Sequence, residues 1–350
     1  MIYHSKPSIS NKEFEILENL FRNGQLAVGD EISKFEANLS NYVGVRYSAA
    51  VVNGTAALHL ALLSLGIGEK SEVAIPNSAC AALLNAVRMS GAKPVLIDTN
   101  SYDCNISVQS LKNKITSKTS CIIAPHHFGF PCKIEEINSF GIPVIEDCAQ
   151  TIGAKISGKQ VGSFSGISVF SFYATKVLTS IDGGMVLSNQ KELIEDVKDR
   201  TYYGGKTDSK LRFNYKLNNV CAAIGNVQLA KLDEFILRRK KLYEFYDKNI
   251  ISEKIEKLKA EPNCEPCFYR FVFKLKTPAK NFRERMESLG IACGDAVFFP
   301  LNRMLGEKDK GFSETVEWFE NGVSIPLYPS LTGEEAEKVV EITNKVLKEI

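Results

Sequence analysis

Residues 47–66, YSAAVVNGTAALHLALLSLG, decide how this chain folds. The run 47–52 is short, apolar and suited to a buried strand. Residues 55–65 carry apolar side chains on nearly every face and read as a buried helix, stopped by Gly66. Asn53-Gly54-Thr55 makes the turn between the two. The same alternation continues outward. A strand over 72–75 stops at Pro76, and a helix over 80–89 stops before Gly91. Strands at 94–97 and 120–124 end at Asp98 and Pro125. A helix over 134–140 precedes the strand 143–145, which closes on Glu146 and Asp147; 167–172 and 184–187 add two more strands. Short apolar strands alternating with helices predict an α/β fold, with a mostly parallel central sheet covered on both faces.

From about Asn219 the texture changes. Residues 220–246 read as one long helix, with Arg238-Arg239-Lys240-Lys241 on a solvated face. Pro262 and Pro266 suggest a linker, 268–275 alternates as a strand, and 281–289 and 333–350 read as amphipathic helices. The division predicted is a large domain over 1–235 and a small C-terminal α+β domain over 236–350. The first 20 or so residues are expected to pack on the small domain or on a partner subunit.

Composition narrows the function classes. The chain has 350 residues, 44% hydrophobic and 24% charged, with a formal net charge of +2. Such a balance is that of a globular protein, not a disordered one, and it lacks the positive field of a nucleic-acid binder. No apolar run reaches the length of a membrane span. The start, MIYHSKPSIS, has no apolar core of a signal peptide. Nine irregularly scattered cysteines fit a reducing cytoplasm. The lone Cys264-x-x-Cys267 has no second pair, so no metal site is expected.

Ligands of open parallel sheets bind beyond the carboxyl ends of the strands. Four clusters fall there. Asn53-Gly54-Thr55 is either a plain helix cap or an anion cradle built from backbone N–H groups and a hydroxyl. Asp147 follows a strand without a second ligand at metal spacing, which favours an ion pair with a cationic ligand over a metal. Lys176 stands among Ala174, Val177 and Leu178. It is either a surface lysine or an amine whose charge is disfavoured, and a neutral amine is the form that attacks a carbonyl. Ser171 adds a hydroxyl at the same strand end. Segment 212–219, with Asn214, precedes the long helix, where asparagines often serve as caps.

Together and in this order, these motifs resemble one family. NGTAALHLAL from Asn53, GAKPVLID from Gly91, IEDCAQTIGA from Ile145, SFYATKVLTSIDGGMV from Ser171, FNYKLNNVCAAIGNVQL from Phe213 and IPLYPSLT from Ile325 are similar to the DegT-like (DegT/DnrJ/StrS) sugar aminotransferases, over essentially the whole chain. The resemblance implies the aspartate-aminotransferase fold and the cofactor pyridoxal 5'-phosphate. By that likeness Lys176 forms the internal Schiff base and then moves the proton, while Asp147 keeps the pyridine nitrogen charged. Gln150 packs by the ring, and Gly54, Thr55 and Ser171 hold the phosphate. Asn214 reaches the phosphate of a partner subunit, which implies a homodimer with shared sites.

Some positions depart from the family pattern. Cys80 falls where an aromatic residue usually stacks on the ring, Lys216 replaces an Arg, and 297–302 lacks the usual histidines. The expected reaction turns a keto group of a nucleotide-activated sugar into an amine, with glutamate or glutamine as donor, in ping-pong fashion. A keto-cyclitol substrate is the alternative, and a non-catalytic cofactor sensor the reading from another class. Sugar dehydratases of this fold carry His in place of the lysine, which Lys176 counts against. His126 is expected to hold structure, His4 and His59 to be incidental, and Trp318 to pack on an amphipathic helix.

Overall fold

The computed structural model describes residues 1–350. Its centre is a seven-stranded sheet in the order Tyr47–Val51, Gly184–Ser188, Ile167–Ser171, Val144–Asp147, Thr119–Pro125, Glu72–Pro76, Lys93–Ile97. The last five strands in that order pair in parallel. Gly184–Ser188 runs antiparallel to both its neighbours. Residues 172–183, which lead into it from Ile167–Ser171, contain no helix, and a parallel return would need a crossover. The fold is therefore the mainly parallel α/β sheet expected, with one antiparallel strand next to its edge.

Helix Gly54–Ser64 is buried from Ala56 to Leu62, as its uniformly apolar sequence requires. Asn53 caps it by accepting from the Ala56 N–H at 2.9 Å. Helices Asn11–Asn23, Asp30–Val43, Val108–Lys114 and Lys191–Arg200 are additional to the elements read from sequence. The first carries a legible signal, the Ser10/Glu13 capping box.

The long helix expected over 220–246 is two: Asn219–Leu229 and Leu232–Asn249. The break falls at Ala230-Lys231, where the Lys231 ammonium is drawn onto Ser10 and Glu13 of the N-terminal helix. Ahead of the break, Gly225 meets the Phe35 ring so closely that a Cβ would lie 2.6 Å from its Cζ.

A second, antiparallel sheet runs Ile255–Lys257, Phe271–Leu275, Gly322–Ile325, Gly294–Asp295. Trp318, Tyr246, Phe271, Phe273 and Phe282 fill its core. The strand expected over 268–275 begins only at Phe271. Phe268 has φ +53°, a left-handed conformation that turns Tyr269 and Arg270 away from the ladder. The proline-marked stretch holds a short strand, Cys264–Glu265, paired with Lys155–Ile156. At the N-terminus Ile2 bridges to Ile291, and Ala292 N–H donates to the Ile2 carbonyl at 2.9 Å. No helix is long and apolar enough to cross a membrane.

Candidate active site

A cavity of about 750 Å³ opens at the carboxyl ends of the parallel strands, facing the second sheet. Gly54, Thr55, Cys80, Asp147, Gln150, Ser171 and Lys176 all line it. Asn214 does not: it is exposed, on the segment before Asn219–Leu229.

Asp147 is the last residue of its strand and is 4% exposed. Burial pushes its carboxyl above the ordinary range, against the Ala149 N–H that donates to it at 3.0 Å and the opposing influence of the Lys176 and His126 side chains. Such a carboxylate is stabilised by any further positive group brought into the cavity. Lys176 follows in the turn after Ile167–Ser171, its Nζ 5.9 Å from the centre of the Tyr269 ring.

Close backbone approach shapes the rim between them. A Cβ on Gly54 would lie 2.8 Å from Ser171 Cβ, and one on Gly184 would lie 2.4 Å from the Asn53 carbonyl oxygen. Only glycines let the strand end and the helix start meet this tightly. The first-turn N–H groups at Gly54 and Thr55, the Thr55 hydroxyl and the Ser171 hydroxyl are thereby gathered at one place. The helix cap is present: Asn53 serves the Ala56 N–H and leaves the preceding N–H groups free of intrahelical partners.

Gln150 holds the next wall, its Oε1 accepting the Phe128 N–H at 2.8 Å. That bond fixes a loop in which Phe128 has φ +56° and places His127 on the cavity. Burial keeps the His127 imidazole neutral, pushed down to about 4, and its Nε2 has no partner. Sequence reasoning singled out its neighbour instead. His126 is structural, as expected: Nδ1 accepts the Cys132 N–H at 2.9 Å and Nε2 donates to Glu146 at 3.1 Å. Glu146 also accepts N–H groups from Gly162, Phe164 and Ser165. His126, Glu146 and Cys148 stand close enough to hold a metal, yet both ring nitrogens and both carboxylate oxygens are already engaged, and burial keeps the Cys148 thiol protonated.

The far wall was the part sequence reasoning missed. His4 is not incidental: the bridge at Ile2 carries it into the cavity lining. Its Nε2 meets Ser324 Oγ at 2.8 Å, and a Cβ on Gly294 would lie 2.8 Å from its Cε1. Burial and the Arg270 cation push it down to about 3, so the ring is neutral. Tyr269 and Arg270 stand beside it, with Arg270 Nη2 donating to Tyr269 Oη at 3.1 Å. Burial raises the Tyr269 phenol, but Arg270, Lys176 and hydrogen bonds from Thr175 and Arg270 outweigh it and bring it to about 8. Phe298 and Phe299 supply the apolar edge where relatives were expected to have histidine. No local sequence pattern marks His4 or Arg270; only the tertiary fold brings them to the sheet.

The DegT/DnrJ/EryC1/StrS aminotransferase family matches the chain over residues 7–344. The GDP-perosamine synthase of Escherichia coli O157:H7 is 34% identical over 356 residues, covering 97% of each chain. Among solved structures, the aminotransferase TlmJ from Streptoalloteichus hindustanus superposes with a TM-score of 0.95 at 24% identity, over 100% of this chain and 99% of that one. Spr1654 from Streptococcus pneumoniae, described as a sugar aminotransferase and solved in its PLP form, gives 0.93 at 23% identity over 99% of each. At those identities the two structures carry the fold.

Proposed function

The chain belongs to the DegT/DnrJ/EryC1/StrS aminotransferase family, and on that premise we propose that it moves an amino group from glutamate or glutamine onto the keto carbon of a nucleotide-activated sugar. The name of the GDP-perosamine synthase relative makes a GDP-linked keto sugar the first candidate. One observation carries the reading: a buried carboxylate, an amine and a glycine-tight anion cradle share one cavity.

These residues fit pyridoxal phosphate, the cofactor of the family. The rim at Gly54 admits no Cβ, as a cradle for a bound phosphate requires, and the His127 Nε2 stands unpartnered. When bound, the cofactor supplies an aldehyde for the lysine and a heterocycle that takes up an electron pair. Gly54, Thr55 and Ser171 hold its phosphate through N–H and hydroxyl donors. Asp147 offers the buried negative charge that keeps a ring nitrogen protonated. Lys176 Nζ would anchor the group and is the base that would move the proton at the substrate carbon. Gln150 and Cys80 bound the ring space, Cys80 offering a soft apolar contact in place of an aromatic face. In the assembly, Asn214 serves the phosphate of a partner subunit, and the lobes 1–235 and 236–350 face each other across the cavity.

The test is a pair of half-reactions on purified protein. Glutamate alone is expected to bleach the visible cofactor band, and a GDP-linked keto sugar to restore it. A band that glutamate and glutamine both leave untouched would favour the sensor reading; restoration only by a keto-cyclitol would move the substrate class.

A further inference from the structure

Arg270 has no role in the chemistry above, yet it is 9% exposed and lines the cavity. Its guanidinium donates to the His4 carbonyl at 3.2 Å and to Tyr269 Oη at 3.1 Å, neither of them an anion. Asp295, an acid of the same lining, pairs instead with Arg283 at 3.1 Å. Behind the same phenol, Arg239 is also buried and donates only to the carbonyls of Tyr269 and Leu327. Two guanidiniums therefore flank one ring without a carboxylate, and only Arg270 reaches the cavity. A buried charge without a counter-ion is strongly disfavoured, and a guanidinium fork matches a carboxylate in bidentate fashion.

Resting on the aminotransferase reading, we infer that Arg270 binds the α-carboxylate of the amino-acid donor. Two anions enter such a site, the donor carboxylate and the pyrophosphate of the activated sugar, and they differ in how near the lysine each must lie. Lys176 Nζ lies 5.9 Å from the centre of the Tyr269 ring and Arg270 Cζ 4.5 Å from the same centre. An α-carboxylate is bonded to the carbon that bears the reacting amine, so its partner must stand close to the lysine. A pyrophosphate is held off from the keto carbon by the sugar ring. The His4 carbonyl and the Tyr269 hydroxyl occupy one edge of the guanidinium and orient the other toward the ligand, which makes His4 and Tyr269 positioning residues.

The experiment compares wild type, Arg270→Gln and Arg270→Lys as cofactor-loaded protein. Single-turnover bleaching by glutamate and by glutamine should show the concentration for half-maximal rate raised roughly 30-fold or more in Arg270→Gln. Arg270→Lys, which keeps the charge but not the fork, should lie in between. Reversal by an amino sugar should change less than about threefold. Calorimetric binding of glutarate, a dicarboxylate with no amine, should weaken in step, while GDP binding stays. Weakened GDP binding with glutarate unchanged would assign the arginine to the phosphate and overturn the inference, as would unaltered donor dependence in both variants. Glutarate binding does not depend on turnover, so a failure of the aminotransferase reading appears separately, as wild type that glutamate fails to bleach. Should Arg270→Gln not fold, Arg270→Lys and the wild-type competition between glutarate and glutamate decide the matter.

Discussion

Asp147 shows what a buried carboxyl does to the protein that carries it. Its folded pKa lies above the unfolded value because burial disfavours the charge. A carboxyl raised in this way removes stability as pH climbs from its unfolded pKa through its folded one. Asp147→Asn should therefore raise the melting temperature of the cofactor-free protein at neutral pH by roughly one or two degrees. The same change should slow the glutamate half-reaction at least about 100-fold, and thermal melts with stopped-flow spectra check both. Tyr269 titrates in the opposite sense. With its phenol brought down to about 8, ionisation adds stability as pH rises from there toward the ordinary phenol range. A near-UV phenolate transition centred near pH 8 should be present in wild type and absent in Tyr269→Phe; an unchanged transition in that variant would assign it elsewhere.

At the scale of elements, strand ends and the turns after them do the positioning. Glu146 ties three N–H groups of the 162–165 turn and the His126 ring into one buried knot beside Asp147. Glu146→Ala leaves those donors without partners and should destabilise by about 3 kcal/mol in denaturant unfolding. Gly54→Ala drives a methyl toward Ser171 and should weaken cofactor binding more than Ser171→Ala, measured by equilibrium dialysis, because it displaces the cradle instead of trimming it. These elements were legible because a buried strand is a short apolar run whose end can be read from the sequence: Asp147, Lys176 and Gly54 all lie at or just beyond such ends. The break at Ala230-Lys231 was not. Periodicity runs through it, and the break coincides with a tertiary tie from Lys231 to Glu13. His4 and Arg270 were hidden for a related reason. One sits on an N-terminal strap bridged at Ile2, the other after a left-handed Phe268, and neither conformation is written in local propensity.

For the whole molecule, the cavity needs contributions from both ends of the chain, since His4 and Ser324 share a hydrogen bond across it. The assembly is expected to add one more, Asn214 from a partner. Lys176→Ala and Asn214→Ala proteins, each impaired alone, should regain activity when mixed and reassembled, because one site of each hybrid dimer then holds both residues. No recovery on mixing would mean that each chain builds its site unaided. The central claim is more local, that the side chain of Lys176 takes the cofactor against Asp147. Borohydride reduction of the yellow protein followed by peptide mapping tests it most directly. The account predicts a single modified peptide carrying the label on Lys176; label on any other lysine, or none, would contradict it.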